Sequence, residues 1–159
     1  MDPLPSDIAR EKAVCMTQRH SIQSNQTMLI TTVTHARNPY FQDDALAREA
    51  VEHIYRVQER RPFFLYGFVI MPDHVHLLLN VPEPETVSNI LRLYKMGLSF
   101  QTGITPLWQK RFDARISGNV FGAREYVHLN PVREGLCTDP KRYPWSSASG
   151  KWDVTEWRG

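Results

Sequence analysis

The chain has 159 residues, a formal net charge of +2, 42% hydrophobic and 23% charged residues, which suits one domain that buries its own core without staples. No apolar run reaches membrane-spanning length and no signal-peptide core follows the start, so a soluble intracellular protein is expected. Cys15 and Cys137 match no metal-ligand spacing and are too few for a disulfide scaffold, so they are expected to be reduced thiols in a cytoplasm.

Residues 1–25 are polar, with early prolines and scattered charges, and are expected to form a flexible N-terminal arm. Met28 to His35 carries enough branched residues for a strand. Asp43 or Asp44 can cap a helix to about Arg60, with Leu46, Ala50, Ile54 and Val57 on its inner face. Phe63 to Met71 and Val75 to Asn80 follow as two strands, joined by the tight Pro72-Asp73 connection. A helix is expected from Thr86 to about Phe100, with Val87, Ile90, Leu91, Tyr94 and Leu98 as its apolar stripe. Trp108 to Ile116 is a fourth strand, and Gly118 to Leu129 a helix that Pro131 should end. The tail from Pro140 is rich in Tyr and Trp. This order predicts an α+β fold of the ferredoxin-like type, an antiparallel sheet with helices on one face.

Two short motifs carry chemistry. His74-Val75-His76 sits at the start of the third strand, where residues i and i+2 point to one face. Two imidazoles side by side suit metal chelation; one core and one surface histidine is the plain alternative. Tyr126-Val-His-Leu-Asn-Pro131 lies near a helix end, and Tyr126 and Asn130, four apart, share a helical face. A phenol and an amide can then face one point, although a core tyrosine and a C-cap asparagine explain the same residues.

Taken together, these blocks resemble the HUH single-tyrosine transposases, and among them the REP-associated tyrosine transposases of bacteria. The likeness runs from about Leu29 to Trp152. It rests on Ile30-Thr-Thr-Val-Thr34, Pro39-Tyr-Phe41, Tyr66-Gly-Phe-Val-Ile-Met-Pro-Asp-His-Val-His-Leu-Leu78, Trp108-Gln-Lys-Arg-Phe112, Tyr126-Val-His-Leu-Asn-Pro-Val-Arg-Glu-Gly-Leu136 and Tyr143-Pro-Trp-Ser-Ser-Ala148. The resemblance implies an HUH endonuclease domain over 26–139 and a tail, 140–159, packing on or near the DNA site. It places His74 and His76 on the family's metal pair, Tyr126 on its nucleophile and Asn130 on its third metal-side residue.

That implies a single-stranded DNA endonuclease and strand transferase that forms a 5′-phosphotyrosyl intermediate at hairpin-flanked repeats. Mg2+ or Mn2+ is the expected cofactor, for two imidazoles and an amide suit such an ion. The implied partner is a repetitive extragenic palindrome folded into a hairpin. The protein would be cytoplasmic, nucleoid-associated, and a monomer or a homodimer. Arg92, Lys95, Lys110, Arg111 and Arg142 are candidates for phosphate contacts, and Trp108, Trp145 and Trp152 for stacking on unpaired bases. His128 should point away from Tyr126 and serve packing or DNA contact. Gly118 and Gly122 lie in a link that looks shorter than usual, and each weakens the tyrosine helix by about 1 kcal/mol. Two rivals stay open: a non-catalytic hairpin-binding descendant, and a metal-dependent hydrolase with a water nucleophile.

Overall fold

The computed structural model describes residues 14–15 and 22–157. Its elements in chain order are β1 (Val14–Cys15), β2 (Thr27–Thr34), α1 (Asp44–Arg60), β3 (Phe64–Met71), β4 (His74–Asn80), α2 (Val87–Thr102), β5 (Trp108–Ile116) and α3 (Val120–Arg133). The strands form one antiparallel sheet in the order β1-β5-β2-β4-β3. The short β1 pairs with β5 at the edge; the rest of the expected arm before Ile22 lies outside the described residues.

The helices start where the capping residues put them. Asp43 accepts from the backbone N–H groups of Ala45 and Leu46, and Thr86 accepts from Asn89. Buried Ala47, Ala50, Val51, Ile54 and Val57 of α1 meet Val87, Ile90, Leu91, Tyr94 and Leu98 of α2 in the larger core, over Met28, Ile30, Phe68, Ile70, Val75 and Leu77 of the sheet. Gly97 is needed at this helix pair, because a methyl group there would overlap the His53 ring. Gly97→Ala is therefore expected to destabilise by about 1–3 kcal/mol, against a helix-propensity gain of about 1 kcal/mol. Urea unfolding measures it, and a His53→Ala partner change should restore the loss; a more stable single variant would contradict the contact.

The antiparallel ferredoxin-like sheet is as expected, but its helices lie on both faces. Val120, Ala123 and Val127 of α3 cover Leu29, Val69, Met71 and Leu78 on the face opposite α1 and α2. The reason is visible in β3 and β4, which are buried along nearly their whole length on both faces rather than alternating between core and solvent. Such strands expose two apolar faces, and both must be covered.

Two further details differ from expectation. Pro131 lies inside α3, which runs on to Arg133. A proline costs one ladder bond, yet Glu134 N–H still reaches Asn130 O at 3.1 Å and Leu136 N–H reaches Pro131 O at 2.8 Å. The helix also forms fully at its other end, where Asn119 caps it by accepting from Gly122 N–H at 3.0 Å.

The tail straps the outer edge of β3. Ile70 N–H donates to Trp145 O at 2.8 Å, Val69 bridges Ser146, and Phe68 N–H donates to Ser147 Oγ at 3.0 Å. Tyr143 Oη donates to Ile70 O at 2.7 Å, and Thr155 exchanges two hydrogen bonds with Leu65. These contacts occupy the free backbone groups of an edge strand.

Candidate active site

The β3–β4 hairpin turns at Pro72-Asp73 and delivers His74 and His76 to the α3 face of the sheet. Register sets their neighbours, since Thr31 of β2 lies opposite His76 and Val33 opposite His74. The two rings meet edge to face, with centroids 4.8 Å apart. Each is held by its Nδ1. Asp73 Oδ1 lies 2.7 Å from His74 Nδ1, and Thr31 Oγ1 lies 2.8 Å from His76 Nδ1. Asp73 in turn accepts from Arg37 at 2.9 Å. That arginine comes from a turn in which Ala36 and Arg37 both have left-handed backbone, φ 54° and 52°. Such strain in non-glycine residues costs on the order of 1–3 kcal/mol each and is concentrated at functional sites.

His76 is 5% exposed. Burial first, then repulsion from His74 and Arg115, pushes its imidazole down to about 3, so the ring is neutral at ordinary pH. A neutral ring is the form that ligates a metal.

α3 completes the constellation. The Tyr126 ring stands 5.8 Å from the His76 ring, edge to face. One turn on, Asn130 is buried and its Nδ2 lies 3.4 Å from His74 Nε2. The Arg133 guanidinium sits over the Tyr126 ring, 4.7 Å from its centroid. The four residues expected to act together therefore converge from one strand and one helix.

The donors fit a divalent cation. A carboxylate on His74 Nδ1 fixes the tautomer whose Nε2 is a free lone pair, the usual arrangement behind a ligating histidine. Rotating the Asn130 amide by a half turn exchanges Nδ2 for Oδ1 and presents the oxygen to an ion. The 3.4 Å between that atom and His74 Nε2 is close to the roughly 3 Å edge of an octahedral hexacoordinate ion. Among the described residues no three His, Cys, Asp or Glu side chains form a metal-sized group; beside the histidine pair the further polar side chain is the Asn130 amide. Asp73→Ala is expected to weaken Mn2+ binding by about 10- to 100-fold, read by electron paramagnetic resonance titration. Unchanged affinity would show that Asp73 does not orient His74.

The model of the family described as transposase IS200 like matches residues 22–129, which carry strands β2 to β5, both histidines and Tyr126. The chain belongs to the IS200-like transposase family. As an IS200-like transposase it is 29% identical over 98 residues to the REP-associated tyrosine transposase of Escherichia coli K12, covering 59% of each chain. A Haemophilus influenzae relative is 25% identical over 108 residues, 56% of this chain and 61% of that one. The chain thus spans about three fifths of the length of these curated relatives. The solved structure of a REP-associated tyrosine transposase bound to a REP hairpin is similar with a TM-score of 0.70, at 24% identity, over 89% of this chain and 90% of that one.

The expected DNA contacts of this IS200-like transposase scatter. Trp108 is 8% exposed, packed between Phe41 and Tyr94 at 5.7 and 6.0 Å, and is a core residue rather than a stacking surface. Trp145 packs on the α1 side, with the Arg48 guanidinium 5.6 Å from its ring, and Trp152 stacks on Tyr55 while donating to Pro144 O. Arg92 and Lys95 lie on α2, across the sheet from the histidines. Arg92 bonds Asn89, and Lys95 donates to Gln109 O, its ammonium pushed down to about 8 by burial. Lys110, Arg111 and Arg142 are exposed.

His128 does point away from the site. Its Nε2 lies 2.7 Å from Ser147 Oγ, and burial, then the Arg124 charge, pushes it down to about 4. It ties α3 to the tail. Thr31, Asp73, Arg37 and Arg133 were not singled out from sequence. Only Asp73, adjacent to His74, and Arg133, two helical turns on from Tyr126 along the same face, left a local signal. No described helix is long and apolar enough to cross a membrane.

Proposed function

We propose that this chain cuts and rejoins single-stranded DNA beside a hairpin, using Tyr126 as the nucleophile. The observation that carries this is the convergence of Tyr126 and Asn130 on the His74–His76 pair. Membership of the IS200-like family and the fold shared with a transposase captured on a REP hairpin support it. A divalent cation, Mg2+ or Mn2+, held by His74, His76 and Asn130 would supply positive charge at a non-bridging oxygen of the scissile phosphate.

The protein side chains do the rest. Thr31 and Asp73 hold the two rings in place, so the site needs no rearrangement when the phosphate arrives. Arg133 fixes the Tyr126 ring from one face while His76 stands at its edge. Tyr126 Oη attacks phosphorus and gives its proton to solvent. The bond from phosphorus to the 3′ oxygen breaks, and that oxygen takes up a proton and leaves as a 3′-hydroxyl. The 5′-phosphotyrosyl linkage stores the bond energy, so resealing by a 3′-hydroxyl needs no nucleotide cofactor. Exposed Lys110, Arg111 and Arg142, with Arg37 and Arg133 beside the site, are the phosphate contacts of this account.

A labelled hairpin oligonucleotide with single-stranded flanks tests the proposal on a denaturing gel. A slow-migrating covalent band that forms with Mg2+ or Mn2+ and vanishes with chelator is expected. Cleavage without any protein-bound band would favour a water nucleophile, and binding without cleavage a non-catalytic descendant.

A further inference from the structure

A recess opens beside the histidine pair, under the β3–β4 turn. It encloses about 290 Å³ and has His74 in its wall, so its occupant touches the site that is to hold the scissile phosphate. Ligand pockets begin at about 300 Å³, which makes this one the size for a single heterocycle. Pro39, Pro72 and Leu136 supply apolar surface, Gln42 and Glu134 bring an amide and a carboxylate, and Arg37 and Asp73, bonded to each other, complete a polar side. A slot that combines apolar surface for a ring face with hydrogen-bonding groups for its edge can hold one unstacked base.

The walls are preset. Phe41 N–H donates to Pro72 O at 3.0 Å and Gln42 N–H to Pro39 O at 3.2 Å, which locks the turn carrying Gln42 against the hairpin. Glu134 follows Asn130 by one helical turn, and its N–H bonds Asn130 O. A base in the recess is therefore a direct neighbour of a phosphate lying at Asn130 and His74.

We propose that this recess reads one unpaired base next to the scissile phosphate, and that Glu134 selects a base with an exocyclic amine, cytosine or adenine, over uracil or thymine. The inference rests on the strand-cleaving function proposed above. A carboxylate only accepts hydrogen bonds. The 4-amino group of cytosine donates to it, whereas the 4-carbonyl of uracil sets two acceptors face to face.

The test is a binding titration of Tyr126→Phe protein, which removes cleavage from the readout. Hairpin oligonucleotides carry deoxycytidine or deoxyuridine at each unpaired flanking position in turn. At one position deoxycytidine is expected to bind about tenfold or more tighter. Adding Glu134→Gln, whose amide both donates and accepts, should bring that ratio near one without moving the melting temperature. A ratio that survives Glu134→Gln, or no position that discriminates, overturns the inference. Intact binding preference in a protein that never cleaves would sink the strand-cleaving function and leave the base recess standing; failure to bind any hairpin overturns both.

Discussion

Tyr126→Phe is expected to lower strand cleavage by at least about a thousandfold, because the nucleophile is lost and the remaining groups can only polarise the phosphate. Hairpin affinity should change by no more than about twofold, since one hydroxyl is removed and the ring stays in place. Its packing against His76 and under Arg133 involves the ring rather than the hydroxyl. Single-turnover cleavage and a filter-binding titration on the same preparation measure the two quantities. A variant that cleaves at more than a tenth of the parent rate would mean that another nucleophile, water or a second side chain, reaches phosphorus.

Ending the chain after Arg142 should cost about 4–8 kcal/mol, from the loss of Tyr143, Trp145 and Trp152 as partly buried aromatics and of the bonds along β3. That is comparable to the whole stability of a domain this size. It also strips Ser147 from His128 and uncovers an edge strand whose next residues are Phe68, Val69 and Ile70, an invitation to aggregate. Urea denaturation and size-exclusion chromatography would show a lost or strongly shifted transition and soluble aggregates. An unchanged midpoint would mean that the tail lies loosely on the sheet. The expectation that it grips DNA is therefore better tested by single changes at exposed residues such as Arg142 than by truncation.

Much of the fold was legible because local chemistry decided it. Asp43 and Thr86 start helices as caps, and the Pro72-Asp73 pair turns the hairpin that makes both histidines share a face. The side of the sheet taken by α3 was not legible, because buried strands such as Phe64–Met71 have no polar face to point at solvent. The same ambiguity hid the roles of the tryptophans. An indole between Phe41 and Tyr94 is fixed by contacts to α2 and to the turn before α1, remote in sequence.

Spacing put both histidines on one strand face and Tyr126 on one helical face with Asn130, and their roles came from the family resemblance; Thr31 was not legible either way. Thr31 meets His76 only through the β2–β4 register, 45 residues away, and one step of slip would turn it to the other face. Asn130 came within reach because the helix continues through Pro131, which local propensity argued against.

Mass spectrometry of the covalent complex tests the central claim most directly. After incubation with a hairpin oligonucleotide and Mn2+, followed by nuclease and protease digestion, the account predicts one nucleotide-bearing peptide. It should contain Tyr126, linked through a 5′ phosphate to the nucleotide on the 3′ side of the cut. A phosphate attached to any other residue, or cleaved strands with free 5′ phosphates and unmodified protein, would contradict it.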